Sequence, residues 1–381
     1  MINKIYNSFC KRFKNKPVLI QSPGRINLIG EHTDYNDGFV LPAAIDKYIF
    51  FAIADNKTNN VNIFSFDFND FVSFELTHIQ KSNKNWANYI IGVINELQKS
   101  EKKIHGFDLV FGGNIPIGAG LSSSAALETG LAFGLNKIFN LGLSSLEIVK
   151  LSQKAENNFV GVNCGIMDQF AAVFGKEKNV FKLDCRTLEY EYFPFISDDY
   201  QLLLCNSNVK HSLVSSEYNK RRKQCKTGVE ILKKYYPSIN KLRDVTLEIL
   251  FKYKEDLDED VFAKCSYVVE ENERLIKACE DLNKNNLKLF GKRMYETHEG
   301  LKTKYDVSCK ELDFLVDFTK NYDGVLGARM MGGGFGGCTI NLVKKDFKDK
   351  MIELLSLKYK NIFNIDAEFY DIDIVEGTKI I

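Results

Sequence analysis

Hydrophobic positions recur along this chain in two alternating rhythms. A loose period of two, or a short apolar run, marks strand candidates at 18–20, 44–54, 61–66, 71–76, 107–111, 180–183 and 200–205. A period near 3.6 marks the helices between them. Trp86, Tyr89, Ile90, Val93, Ile94 and Leu97 share one helical face, and an Ala- and Leu-rich run predicts a helix over 122–135. Ser144-Ser145-Leu146-Glu147 reads as a capping box that opens a helix to about residue 158. Another helix is expected from near Gly165, carrying residues 167–174. Long polar-apolar patterns at 216–233, 259–281 and 286–303 give the second half a helical face. A glycine cluster at 332–337, an apolar strand at 338–343, a helix at 347–358 and a strand at 367–374 follow. Residues 1–17 read as a basic amphipathic lead-in, and the polar, glycine-punctuated residues 22–38 as a structured loop. This alternation argues for an α+β or α/β fold. No internal repeat or flexible linker divides it, and the lobe boundary is expected near 190–210.

Composition narrows the class only a little. A chain of 381 residues allows two or three domains, or two large lobes. With 45% apolar and 27% charged residues it excludes a disordered segment or a disulfide miniprotein. Lys plus Arg number 51 against 50 acidic residues, which gives no sign of a nucleic-acid surface yet leaves room for a local basic pocket that takes a small anion. The excess of Phe, at 29, and the shortage of Pro, at 6, read as genome bias rather than chemistry. The nine cysteines are widely spaced with no CxxC, and the five histidines are scattered. Free thiols in a reducing cytoplasm are expected, since the spacing of Cys185, Cys205 and Cys225 fits no compact zinc knuckle. The first residues lack the apolar stretch of a signal peptide, and no apolar run is long enough to span a bilayer.

Three glycine-bearing segments carry candidate chemistry. The first, PIGAGLSSSAA over 116–126, lies between a strand and a helix. Free amides at a helix start, together with the Ser122, Ser123 and Ser124 hydroxyls, suit a triphosphate. The segment lacks the Gly-Lys-Ser/Thr ending of the common P-loop, and a small-residue turn packing a helix on a sheet explains it equally well. The second, GGGFGG over 332–337, formally contains GxGxxG, but a strand rather than a helix follows, so a dinucleotide fold is rejected. A tight turn touching a ligand or the other lobe is expected there. The third runs from Ser22 to Asn36 and holds Arg25, Glu31, His32 and Asp34. Carboxylates and an imidazole so close together suit the hydroxyls of a polyol, and Arg25 suits an oxyanion. A solvated polar loop is the alternative.

Taken together, the three segments resemble the galactokinase family, a branch of the GHMP (galacto-, homoserine, mevalonate and phosphomevalonate) kinases. GRINLIGEHTDYNDGFVLP over 24–42 resembles the galactokinase signature, PIGAGLSSSAA the family's ATP motif, and GARMMGGGFGGCT over 327–339 its C-terminal glycine motif. CGIMDQF over 164–170 and the stretch 206–225 look typical of the same branch, and the resemblance covers essentially the whole chain. It implies an α+β, two-lobed fold. Residues 1–200 would form an N-terminal lobe with a ribosomal-protein-S5-like domain, and 201–381 a C-terminal α/β-sandwich lobe. The implied reaction is ATP-dependent phosphorylation of α-D-galactose at the C1 hydroxyl, the first committed step of the Leloir pathway, with Mg²⁺ as cofactor. Galactose and MgATP would be the partners, in the cytoplasm, with no nucleic acid, membrane or obligate protein partner.

The resemblance also implies residue roles. Asp168 would accept or orient the proton of the anomeric hydroxyl, and Arg25 would stabilise the transition state. Glu31, His32, Thr33, Asp34, Gly165 and Tyr218 would bind the sugar. Gly118, Ala119, Gly120, Leu121, Ser122, Ser123 and Ser124 would wrap the phosphates, with Ser65 near the nucleotide on less distinctive surroundings. Ser124 and Glu156 would hold Mg²⁺. One departure stands out: Thr297-His298-Glu299-Gly300-Leu301 replaces the family's usual Ser-His followed by Ser-Leu, and a packing role for His298 is expected. A sibling kinase for N-acetylgalactosamine or arabinose, and a catalytically dead sensor of galactose and ATP, are the competing readings. The unbroken 118–126 segment and Asp168 argue against the sensor.

Overall fold

The computed structural model describes residues 1–116, 118–209 and 214–381. Ile117 of the phosphate segment and residues 210–213 of the 206–225 stretch lie outside the described residues. In chain order, α1 (Ile2–Arg12), β1 (Val18–Asn27), β2 (Phe39–Val40), β3 (Pro42–Asp55), β4 (Asn60–Ser65), β5 (Asp70–Glu75), α2 (Asn85–Lys99) and β6 (Phe107–Gly113) come first. Next are α3 (Ser123–Phe139), α4 (Ser145–Lys154), α5 (Met167–Phe174), β7 (Asn179–Asp184), β8 (Tyr190–Pro194) and β9 (Tyr200–Asn206). The remainder runs through α6 (Val214–Lys233), α7 (Leu247–Lys252), α8 (Glu259–Asn283), α9 (Leu287–Thr303) and α10 (Lys310–Thr319). It ends with β10 (Val325–Met330), β11 (Cys338–Lys344), α11 (Lys348–Phe363), β12 (Glu368–Ile372) and β13 (Lys379–Ile380).

Three sheets organise these elements. A six-stranded sheet in the order β13-β1-β3-β6-β4-β5 backs the first lobe, a four-stranded sheet β10-β11-β9-β12 the second, and a small sheet β2-β7-β8 lies between. The α2 face foreseen from its periodicity buries Ile90, Val93, Ile94 and Leu97 with Leu131 and Leu135 of α3. The lobes share one apolar cluster, in which Ile26, Leu28 and Leu41 meet Leu204, Leu275, Met294 and Ile340. The interface is therefore packed like an interior rather than hinged through water.

Two local departures from the sequence pattern position the site. Residues 22–27, read above as loop, are the second half of β1. They are almost wholly buried, so they show no alternation, and the register with β3 shifts between Pro23 and Arg25. Such a bulge absorbs a proline without a ladder donor and re-aims the following side chain. The helix opened by the Ser144 capping box does not simply stop near 158: α4 passes into a π-helical turn over Ala155–Val160, which is the turn that carries Glu156. Short elements such as β2, β8, α7 and β13 lacked a periodic signal long enough to read.

Candidate active site

The sugar-facing loop is built by its own hydrogen bonds. Gly30 and His32 both take positive φ, at 99° and 63°, so the chain reverses immediately after β1. The Thr33 hydroxyl shares its proton between the Gly30 carbonyl, at 2.8 Å, and the Phe39 carbonyl, and the Asn36 amide donates 2.9 Å to the His32 carbonyl. Glu31, His32 and Asp34 are thereby turned toward one cavity of about 590 Å³, also lined by Arg25, Asp168 and Tyr218. Thr33, expected among the sugar ligands, is not among the residues that line this cavity. It is fully buried with its hydroxyl engaged on main-chain carbonyls, so its work is to shape the loop.

Arg25 and Asp168 meet at the floor of this cavity. Arg25 donates through Nε to Asp168 Oδ1 at 2.7 Å and through Nη2 to Oδ2 at 2.9 Å, while Nη1 donates 2.7 Å to the Gly120 carbonyl. The bidentate fork fixes the carboxylate plane. Burial opposes the Arg25 charge most, but Asp168, Glu31 and Asp34 together outweigh it and its pKa is raised. The Ser122 hydroxyl donates to Asp168 Oδ2, so the carboxylate sits between the arginine and the phosphate segment.

The remaining sugar candidates differ in how free they are. Glu31 Oε1 already accepts from Arg329 Nη2 at 2.9 Å and from the Gly332 amide at 2.8 Å. Burial pushes the His32 imidazole down to about 4, so it is neutral, and its Nε2 has no partner among the described residues. Burial, reinforced by Asp168, pushes Asp34 up to about 6. Gly165 is needed as glycine, because a Cβ there would overlap the Asp34 carboxylate. The Tyr218 ring lies 5.6 Å from that of His32 and closes one wall.

The phosphate segment faces the same carboxylate from the other side. Gly118 and Gly120 are exposed at positive φ, 79° and 73°, with open space above their Cα atoms. Ser123 and Ser124 at the start of α3 line a second, smaller cavity of about 270 Å³ with Asp67, Phe68, Trp86 and Tyr89. Ala119 and Leu121 send their side chains into the interlobe core, so only their main chain can meet a ligand. Ser65, expected near the nucleotide, is fully buried in β4. Its hydroxyl has no partner among the described residues, and it lines neither cavity, while Asp67 and Phe68 of the following turn line the smaller one. The 332–337 glycines pack against this segment: Cβ atoms on Gly332 and Gly337 would lie 3.8 Å from the Gly120 and Ala119 carbonyls, respectively.

Whether Mg²⁺ suits the site can be judged from Glu156. This carboxylate is buried and its pKa is raised, first by burial and then by Asp168, while hydrogen bonds from Cys164, Ser124 and Gln169 work against that rise. Gln169 Nε2 donates to it at 2.6 Å, and none of the ion pairs among the described residues involves it. No three His, Cys, Asp or Glu side chains among the described residues cluster closely enough to hold a metal alone. One carboxylate and one hydroxyl beside a phosphate-binding loop fit a cation that takes its other ligands from phosphate and water.

Sequence reasoning missed Arg329, the residue that ties the lobes at the site. Fully buried, it donates 2.7 Å to the Leu28 carbonyl, pairs with Glu31 and also reaches the Asn27 carbonyl. Its signal was available: a lone arginine in an otherwise apolar strand, three residues before the glycine cluster. The departure at 297–301 is structural. Thr297 donates 3.1 Å to the buried Glu271 carboxylate, which also holds the Gly30 amide at 2.8 Å, and His298 Nδ1 accepts from the Met330 amide at 3.2 Å.

An amide-lined loop aimed at a buried Arg–Asp pair beside a polar cavity is the arrangement of a small-molecule phosphotransferase. Residues 88–176 match the GHMP kinases N terminal domain, 275–360 the GHMP kinases C terminal domain, and 7–55 the galactokinase galactose-binding signature. The chain is 45% identical to galactokinase of Thermosipho africanus over 362 residues, covering 95% of this chain and 99% of that protein. It is 44% identical to galactokinase of Thermotoga maritima over 365 residues, covering 94% and 99%. Among solved structures, Lactococcus lactis galactokinase complexed with galactose superposes with a TM-score of 0.96 at 35% identity, covering 100% of this chain and 99% of that one. Mevalonate kinase of Methanococcus jannaschii shares the fold, with a TM-score of 0.66 at 19% identity over 96% of this chain and 100% of that one. The two-lobed fold is thus that of the GHMP kinases. Within them, the chain belongs to the galactokinase family.

Proposed function

We infer that this chain transfers the γ-phosphoryl group of ATP to the C1 hydroxyl of α-D-galactose, giving α-D-galactose 1-phosphate and ADP. The observation that carries the reading is the bidentate Arg25–Asp168 pair, set between a polar cavity and the exposed residues Gly118 and Gly120. Asp168 accepts the proton of the anomeric hydroxyl as that oxygen bonds to the γ-phosphorus and the bond to the β–γ bridging oxygen breaks. Arg25 holds the Asp168 carboxylate in plane and offers positive charge where the transferring group becomes more negative. Glu31, His32, Asp34 and Tyr218, with the Gly165 backbone, grip the sugar hydroxyls. A buried acceptor left unpaired by an epimer is what gives such a pocket its selectivity.

Gly118 to Ser124 receive the phosphates through main-chain amides and serine hydroxyls, as a helix start favours. Ser124 and Glu156 would hold Mg²⁺, which neutralises phosphate charge when bound. Residues 1–200 and 201–381 are the two lobes in this reading, and β13 returns from the second to the sheet of the first. Nine free cysteines suit a cytoplasmic enzyme. An ADP-release assay with Mg²⁺ across galactose, N-acetylgalactosamine, arabinose, glucose, mevalonate and homoserine tests the assignment. Turnover on galactose above the others is expected. No turnover on galactose with clear turnover on another acceptor overturns it.

A further inference from the structure

A chain of hydroxyl groups runs from the sugar cavity into the second lobe. His32 Nδ1 lies 2.8 Å from the Tyr35 hydroxyl, which lies 2.7 Å from the Tyr305 hydroxyl, which lies 3.4 Å from Cys225 Sγ. The Tyr305 ring also packs against the imidazole at 4.7 Å between centroids and is itself fully buried. At the other end of the chain, His32 Nε2 is buried with no partner among the described residues, on a residue that lines the sugar cavity.

Each hydroxyl has one proton, so the chain has two possible directions. In one, His32 donates from Nδ1, the protons run outward, and Tyr305 spends its proton on a thiol sulfur, a weak acceptor. In the other, Tyr305 donates to Tyr35 and Tyr35 donates to Nδ1. This second order puts a phenol proton on an imidazole nitrogen, the stronger acceptor, and leaves the thiol as the weak partner of the Tyr305 oxygen. A neutral imidazole accepting at Nδ1 must carry its proton on Nε2.

We propose that Tyr35 and Tyr305 are positioning residues for sugar recognition, which fix His32 as an Nε2–H donor in the cavity wall. The proposal rests on the reading of His32 as a sugar ligand. It makes His32 select for an oxygen that accepts a hydrogen bond, complementing the acceptor carboxylates Glu31 and Asp34. It also makes the second lobe, through Tyr305, a contributor to sugar affinity without touching the sugar.

The first test reads the unsubstituted protein. In galactose-bound, ¹⁵N-histidine-labelled protein, with the signal assigned through His32→Asn, the resonances of His32 should be those of an Nε2–H tautomer. An Nδ1–H tautomer overturns the proposal. Tyr305→Phe keeps the ring and removes only the hydroxyl. It should shift the His32 signals toward a mixture and raise the galactose KM by about five- to tenfold, with kcat and the ATP KM little changed. Tyr35→Phe removes the direct partner and should raise it further. Wild-type galactose KM and histidine spectra in both variants overturn the proposal. His32→Ala separates the two levels. Unchanged galactose affinity there overturns the sugar-ligand reading and the proposal with it, whereas lost affinity with silent tyrosine variants overturns the proposal alone.

Discussion

Replacing Gly165 with alanine isolates the contact between the loop preceding α5 and the sugar-facing loop. A Cβ built on Gly165 overlaps the Asp34 carboxylate and lies 3.0 Å from the Asp34 Cβ. Because the overlap reaches back to Cβ, spinning the carboxylate about its last bond does not relieve it, and the whole side chain must withdraw. Regaining ordinary carbon contact near 3.5 Å requires a displacement on the order of 1–2 Å. A misplacement of that size in a group that orients a reactant costs roughly 10²-fold. Gly165 is not among the residues at positive φ, so its backbone accepts alanine and the loss should not come from unfolding. We expect kcat/KM for galactose to fall roughly 10²-fold, mostly through KM. ATP affinity and the melting temperature should stay near wild type. ADP release against galactose, calorimetric titration of nucleotide and thermal unfolding measure the three quantities. A wild-type galactose KM would refute the placement of Asp34 against Gly165, and an equal loss of ATP affinity would show a collapsed site instead of a displaced side chain.

Four further outcomes follow from the same geometry. Asp168→Asn should bind galactose and ATP yet lose roughly 10²- to 10⁴-fold in kcat, and a variant with full kcat removes Asp168 from proton transfer. Asp34, raised from 3.8 to about 6, binds a proton on folding; its contribution to stability is full below pH 4 and is lost as pH rises through about 6. Ionised Asp34 is the better hydroxyl acceptor, so the galactose KM should fall between pH 5 and 7, and Asp34→Asn should flatten that limb of the profile. Glu156→Gln should raise the Mg²⁺ concentration needed for half-maximal ATP binding by roughly tenfold or more, measured by titration. Thr33→Val should cost about 1–2 kcal/mol of unfolding free energy by denaturant titration while leaving galactose KM nearly intact.

Strong periodicity made the long elements legible. The α2 stripe from Trp86 to Leu97 and the Ser144–Glu147 capping box both state their structure locally, and both formed. Residues 22–27 do not, because a stretch buried on all sides carries no alternation, and its bulge is visible only against β3. The same division holds at the site. Glu31, His32 and Asp34 lie close in sequence and share one cavity, so their grouping could be read from the chain. Thr33 sits among them, but its neighbours in the chain do not tell that its hydroxyl turns inward to two carbonyls. Arg329 and Tyr305 reach the site from the far half of the sequence, and only the packing of the lobes brings them to Glu31 and Tyr35.

The pairing of β13 with β1 has a consequence for biosynthesis. Ile380 and Lys379 register with Ile20 and Gln21, and the Thr378 hydroxyl lies 2.8 Å from that of Ser22. The strand that bears Arg25 therefore keeps one unpaired edge from the moment it leaves the ribosome until the residues around 380 emerge. At cellular elongation rates that interval is on the order of tens of seconds. Throughout it, the first lobe can nucleate β1, β3 and β6 but presents an open ladder of amides and carbonyls to any passing chain. Completion of the first sheet thus waits for Lys379 and Ile380 to emerge, and the nascent first lobe is the stage at which a chaperone has most to shield.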